Sequence, residues 1–248
     1  MQMRFRLLLA AACAMPVLAA AGPADYVYVP AVEYGEREID FKAGTWKSRD
    51  ERVRQSAASL GFGYGVTTWW FSEAYLKYEK ESGDRTKYDA FEWENKFQLT
   101  EPNQYFVDVG LITEIEIPKE RQQEGYEFRM GPLFQGDAGP VRWNANVLFQ
   151  RIFRGNTDVS HATGLGYQLQ ARYELNAALG IGAQAFGEMG QWNRWLSRGE
   201  QNHRAGPALF GKVKLGGRQA IVYNAAWLRG LTDASPRDTF RVQAEFEF

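Results

Sequence analysis

The chain has one cysteine, Cys13, and two histidines, His161 and His203, in 248 residues. That scarcity excludes a disulfide scaffold and a Cys/His structural metal site. Net charge is nearly lacking as well, at −1 with 29 Lys and Arg against 30 Asp and Glu. Nucleic-acid binders usually carry a basic excess, so no nucleic acid is expected as a partner. After residue 21 there is no apolar run of the ~20 residues that a membrane helix needs. Mean hydropathy is −0.44, which excludes a bundle of such helices. Two things are plentiful: aromatic residues, at 15%, and glycine, at 25 residues. That pairing does not suit a typical helical enzyme.

Residues 1–21 have the layout of a secretory signal peptide. Arg4 and Arg6 supply the positive start, Leu7 to Leu18 the short apolar stretch, and Ala19-Ala20-Ala21 a cleavage site before Gly22. The stretch is too short for a transmembrane anchor. Ala12-Cys13 suggests a lipoprotein signal, but Leu9 sits one place too far from the cysteine. Removal of 1–21 leaves a mature chain without cysteine, with 22–31 as a periplasmic lead-in.

Period-2 alternation then recurs in twelve segments, which is the strand signature. They run over 39–43, 58–66, 70–78, 91–99, 107–117, 126–134, 141–149, 165–173, 179–185, 205–215, 221–227 and 240–248. One face of each is apolar and the other is largely charged, polar or glycine. Connections also alternate. Tight ones fall at 66–69, 100–104, 136–140, 176–178 and 216–218. Longer polar ones fall at 47–52, 80–87, 118–125, 154–163, 191–202 and 230–238. Short periplasmic turns, long outer loops and an even strand number are the pattern of an outer-membrane β-barrel. Closure removes the sheet edges that hydrocarbon forbids. The expected fold is therefore all-β: a twelve-stranded antiparallel up-and-down barrel over 22–248, both termini in the periplasm. Two aromatic girdles are expected, with Trp69, Trp70, Phe97, Trp143, Tyr173 and Phe248 at the periplasmic interface. Trp46, Tyr78, Tyr126, Phe153 and Trp227 would mark the outer one.

The run Phe240-Arg241-Val242-Gln243-Ala244-Glu245-Phe246-Glu247-Phe248 resembles the C-terminal signal of Gram-negative outer-membrane barrels. The resemblance implies recognition by the barrel-assembly machinery through Phe240, Val242, Phe246 and Phe248. Segments 33–38 and 92–99 look like uncharacterised proteobacterial outer-membrane proteins of this size. They are distantly similar in style to copper-resistance B barrels and to barrels linked to phenol degradation. The copper relatives use Met- and His-rich tracts, which this chain lacks, so copper is not carried over. No metal or cofactor is expected.

By parity the lumen acids include Glu36, Glu38, Asp40, Glu73, Glu92, Glu94, Asp108 and Glu114, together with Glu116, Glu127, Glu174 and Glu188. The lumen bases include Arg129, Arg142, Arg172, Lys212 and Arg241, with Lys42, Lys77, Lys96, Arg204 and Lys214. Acids crowd segments 1 and 3–5; bases become commoner from segment 6 onward. Opposed walls of this kind orient a polar or zwitterionic solute in a pore, or neutralise one another and fill the barrel. Inward Gly61, Gly63, Gly65, Gly180 and Gly182 leave room either for a solute or for bulky inward neighbours such as Phe71, Tyr75, Phe106 and Phe186.

The expected function is a narrow pore or binding channel for a small polar or amphipathic solute. A second reading is a non-conducting structural or adhesion barrel, whose outer loops meet lipopolysaccharide or a partner. Arg49, Arg52, Arg85, Lys87, Lys119, Arg121, Arg194 and Arg198 are the loop cations available for phosphate. A third is a lipid hydrolase using Asp158, Ser160, His161 or His203, but adjacent Ser160 and His161 point apart on an extended backbone.

Overall fold

The computed structural model describes residues 22–248 except 51, 157–159 and 177. The signal-peptide reading for 1–21 and the candidate Asp158 lie outside them. Alternation along the chain becomes long antiparallel strands: β1 (Arg37–Lys47), β2 (Arg54–Gly65), β3 (Trp70–Glu81), β4 (Lys87–Gln98), β5 (Asp108–Pro118) and β6 (Tyr126–Ala138). They continue with β7 (Val141–Phe153), β8 (Gly164–Asn176), β9 (Leu179–Gln191), a two-residue β10 (Arg194–Trp195), β11 (Asn202–Gly216), β12 (Gln219–Gly230) and β13 (Asp238–Glu247). Each long strand pairs with its neighbours in the barrel, β8 pairs β9, and β13 closes on β1 from Glu38↔Glu247 to Lys47↔Asp238. Twelve long strands thus form a closed ring with no free edge. β10 only extends the β9 ribbon into an outer loop, and the one helix among the described residues, α1 (Arg121–Glu124), sits in another.

The outward wall is apolar and uncovered. Leu60, Phe62 and Phe240 are each more than half exposed, at 51, 54 and 55%. A surface this apolar is stable against lipid rather than water. Rings gather at the strand ends as the sequence suggests. At the short-turn end Trp69 and Trp70 stack on Phe97, and Phe246 stacks on Phe248. Toward the long loops Trp227 stacks on Phe240 and Tyr78 meets Tyr88 edge-on. Short turns mark the periplasmic end of such barrels.

Two connections differ from expectation. The turn expected at 100–104 spans all of 99–107, because Asn103 takes a left-handed φ of 61° and its amide bonds the Asp108 carboxylate at 2.8 Å. Phe106 therefore lies 84% exposed in that turn instead of pointing inward. The second difference concerns the chain before β1.

Candidate functional site

Residues 22–31 are not the expected periplasmic lead-in, and they continue into 32–36 without a break. They thread the lumen. From the start of β1 the segment passes Gly65, where the Gly35 amide donates to the Gly65 carbonyl at 2.8 Å. It then runs back through the barrel. The Val32 amide donates to Gln98 Oε1 at 2.8 Å, and Pro30 is among the most deeply buried residues. At its far end the Pro23 carbonyl packs so closely on Gly44 that a side chain there would collide at 1.9 Å. Gly44 belongs to the long-loop half of β1, so the described chain starts well inside the barrel. The C-terminus is at the short-turn end, with the Phe248 amide bonded to the Arg37 carbonyl at 2.8 Å.

The segment is seated by two kinds of contact. Tyr28 packs on inward Ile112, Leu133 and Leu148, while Val27 packs with Phe186, Phe210 and Leu228. These apolar patches on lumen walls are the part that a polar-inside rule misses. Polar groups then fix the register. Tyr26 donates to Glu94 at 2.5 Å and Tyr28 to Glu114 at 2.7 Å. The Tyr28 amide donates to Gln168 Oε1 at 3.2 Å, and Asn146 donates to the Tyr28 carbonyl at 3.0 Å.

The expected lumen charges divide by depth. Around the segment they pair locally. Lys42 reaches Asp40 at 3.3 Å and lies over the rings of Tyr26 and Tyr75 at 3.3 and 3.6 Å. Asp40 also accepts from Tyr75 and Gln243, each at 2.9 Å. Lys77 joins Glu92 at 2.8 Å and also contacts Glu116. Arg129 bridges Glu114 and Glu127 at 3.2 and 3.1 Å. Arg241 donates to Gln184 at 2.7 Å and to Asn224 at 3.1 Å. Buried charges need such pairing, and here they fill this depth of the barrel.

Beside the segment, in the short-turn half of the lumen, a cavity of about 1000 Å³ remains. Glu36, Glu38, Asp40, Glu73 and Glu94 line one side, and Arg142, Arg172 and Lys212 also border it. Arg142 and Arg172 stand on β7 and β8, across the ring from β1. The opposed walls anticipated from sequence therefore exist at this level, although the bases also hold rim acids. Arg142 pairs with Asp137 at 2.9 Å, Arg172 with Glu174 at 2.8 Å, and Lys212 with Glu247, its Nζ 2.8 Å from Oε1. Burial, reinforced by Glu247, raises the Glu36 carboxyl above its ordinary pKa. Among the expected lumen residues, Glu92, Asp108, Glu114, Arg129 and Arg241 do not border this cavity. Asp108 serves the 99–107 turn, and the other four belong to the filled layer.

The inward glycines make room for neighbours. A side chain at Gly61 would meet the Tyr75 ring at 2.3 Å, and one at Gly63 would meet Phe71 at 2.4 Å. Gly65 leaves space for the entering segment at Glu33. The hydrolase candidates are not assembled. His161 Nδ1 contacts the Ile152 carbonyl at 2.9 Å, and Ser160 Oγ accepts from the Ala162 amide at 3.4 Å. His203 is held between Tyr167 at 2.9 Å and Gln201 at 2.7 Å. Among the described residues these contacts join neither histidine to Ser160.

No protein-family model matches the sequence, and no curated protein matches it. Solved structures do match in fold. An outer membrane channel from Pseudomonas putida F1 superposes with a TM-score of 0.61 at 10% identity, covering 90% of this chain and 98% of that one. The KdgM porin gives 0.55 at 9% identity over 85% of this chain and 99% of its own. The translocator domain of the autotransporter NalP from Neisseria meningitidis gives 0.50 at 14% identity over 87% and 89%. The chain has the fold of Gram-negative outer-membrane β-barrels.

Proposed function

We propose that this protein is an outer-membrane channel or binding barrel for a small polar or amphipathic solute, closed partway along its lumen by its own residues 22–32. The observation that carries this is the cavity of about 1000 Å³ beside the segment, walled by carboxylates, guanidinium groups and the rings of Tyr26, Tyr75 and Tyr223. A barrel kept only as a scaffold has no need of a space that size. Fold neighbours described as a channel and a porin agree with this reading. Export through residues 1–21 and assembly through the Phe240–Phe248 run belong to the same proposal.

The test is osmotic swelling of liposomes carrying the folded, heat-modifiable protein. Small sugars and amino acids should enter faster than into empty liposomes, and faster still with a Tyr26→Phe/Tyr28→Phe variant. Rates equal to empty liposomes for both proteins would refute a channel.

One observation favours the second reading, a non-conducting barrel that meets lipopolysaccharide through its loops. The long-loop end is tied together. Arg49 donates to the Thr232 carbonyl at 2.9 Å, while Thr232 and Ser235 bond the backbone around Gln201 and His203. Arg49 is thereby spent inside the protein, whereas the Arg52 side chain, 85% exposed and 3.6 Å from the exposed Asp50 carboxylate, projects where it can meet phosphate.

A further inference from the structure

The outward wall is not apolar everywhere. Ser72, Asn95 and Thr113 stand side by side on β3, β4 and β5, in one cross-strand row that faces outward. The row toward the long loops carries Trp93, Ile115 and Phe128, and the row toward the short turns carries Trp70 and Phe97. Small polar side chains between two rows of large apolar ones leave a groove of about 460 Å³. That lies within the roughly 300–1000 Å³ of small-ligand sites. Asn95 and Thr113 border it.

Two hydrogen bonds hold the walls of this groove. Trp70 Nε1 donates to Asn95 Oδ1 at 3.0 Å, and Trp93 Nε1 donates to Ser72 Oγ at 2.9 Å. Indole N–H groups near a girdle ordinarily turn to water or headgroups. Here both turn along the wall, and Trp70 also stacks on Phe97. Asn95 is only 9% exposed. Trp70 occupies its oxygen, which leaves its amide group to donate. Among the described residues, neither that amide group nor the Thr113 hydroxyl has an acceptor.

A donor held in hydrocarbon without an acceptor is costly, so the bilayer has to supply one. Depth selects which. Trp70 and Phe97 belong to the short-turn girdle, and such girdles sit at headgroup level. The polar row lies two residues further in, about 7 Å along each strand. There the interfacial region gives way to hydrocarbon, and that is the level of phospholipid ester carbonyls. An ester carbonyl accepts hydrogen bonds and donates none, which suits the Asn95 amide and the Thr113 hydroxyl. An acyl chain suits the aromatic and aliphatic walls. We propose that this groove binds one diacyl phospholipid of the leaflet at the short-turn end, with an ester carbonyl on Asn95 and Thr113 and an acyl chain between the two apolar rows. The site is on the outside of the barrel, so it does not depend on whether the lumen conducts.

The experiment is native mass spectrometry of the full protein, folded in detergent and mixed with dioleoyl phosphatidylcholine or with its diether analogue, which lacks the carbonyls. Wild type should retain one diester molecule per barrel and hold the diether roughly fivefold more weakly. Ile115→Trp, which fills the groove, should abolish retention. Leu169→Trp, outward on β8 and away from the groove, should leave it unchanged. Should Ile115→Trp fail to show heat-modifiable mobility, Thr113→Val replaces it and should narrow the preference for the diester. No retained lipid, equal retention of the two lipids by wild type, or a groove variant indistinguishable from wild type overturns the proposal. A lipid-free dimer overturns it too, because the groove would then be covered by a second copy of the chain. Failure of the swelling assay leaves this site standing, and loss of the site leaves the channel reading standing.

Discussion

Removing the hydroxyls that seat the N-terminal segment should loosen it by a calculable amount. Tyr26 and Tyr28 donate to Glu94 and Glu114 at 2.5 and 2.7 Å in a buried layer. A hydrogen bond to a carboxylate contributes about 1.5–3 kcal/mol, and its loss also leaves the acceptor short of a donor. At about 1.4 kcal/mol per factor of ten, each Tyr→Phe change should raise the released fraction roughly tenfold to a hundredfold. The double variant should exceed either single one but fall short of their product, because the two rings touch at 4.8 Å and share one network. A reporter thiol is easily placed, since Cys13 is the single natural cysteine. In a Cys13→Ala background, Val27→Cys puts a thiol in the lumen at a position 8% exposed. Its maleimide labelling should be slow in the parent and faster by those factors in the Phe variants. If all of these proteins label at one rate, the segment is not held by those bonds and the energetic argument fails.

Other consequences are open to simple measurement. Arg129→Met removes the partner of both Glu114 and Glu127, and should lower folding stability by about 3–5 kcal/mol in urea titrations. Adding Glu114→Gln should recover part of that loss. Gly61→Leu drives a side chain into the Tyr75 ring and should cost about 1–3 kcal/mol, seen as a lower temperature for loss of heat-modifiable mobility. Trp70→Phe removes a 3.0 Å bond to Asn95, which is 9% exposed on the outward wall. The unpaired amide should cost about 1–3 kcal/mol in the same assay. Removal of Phe248 should reduce the amount of barrel in outer-membrane fractions while leaving the purified protein able to refold.

The barrel was legible because lipid and lumen impose opposite polarities on alternate residues, and twelve segments obey that rule over most of their length. The β12 row contrasts weakly for a physical reason. Its inward residues Ala226 and Leu228 are apolar because they face Val27 rather than water or charge. Inward Ile112, Leu133, Leu148, Phe186 and Phe210 carry the same message. Apolar residues on a lumen face need an apolar occupant, and the run Tyr26-Val27-Tyr28-Val29-Pro30 just before the first strand can supply one. That combination, available in the sequence, was enough to place 22–32 inside. Pairing of the lumen charges was less legible. Parity tells which way Asp40, Lys42 and Lys77 point, but not that Lys77 reaches two strands on to Glu116. Nor does parity show that Asp108 turns to a loop amide.

Single-channel recording in planar bilayers tests the central claim most directly. Twelve strands about 4.8 Å apart and tilted about 40° enclose a backbone cylinder roughly 24 Å across, so the segment is the main obstruction along the axis. Wild-type protein should give small, infrequent steps. A variant lacking residues 23–31 should give frequent steps several times larger, and Glu94→Gln in that background should reduce its preference for cations. Equal conductance with and without the segment would contradict an account in which the N-terminal segment closes the lumen.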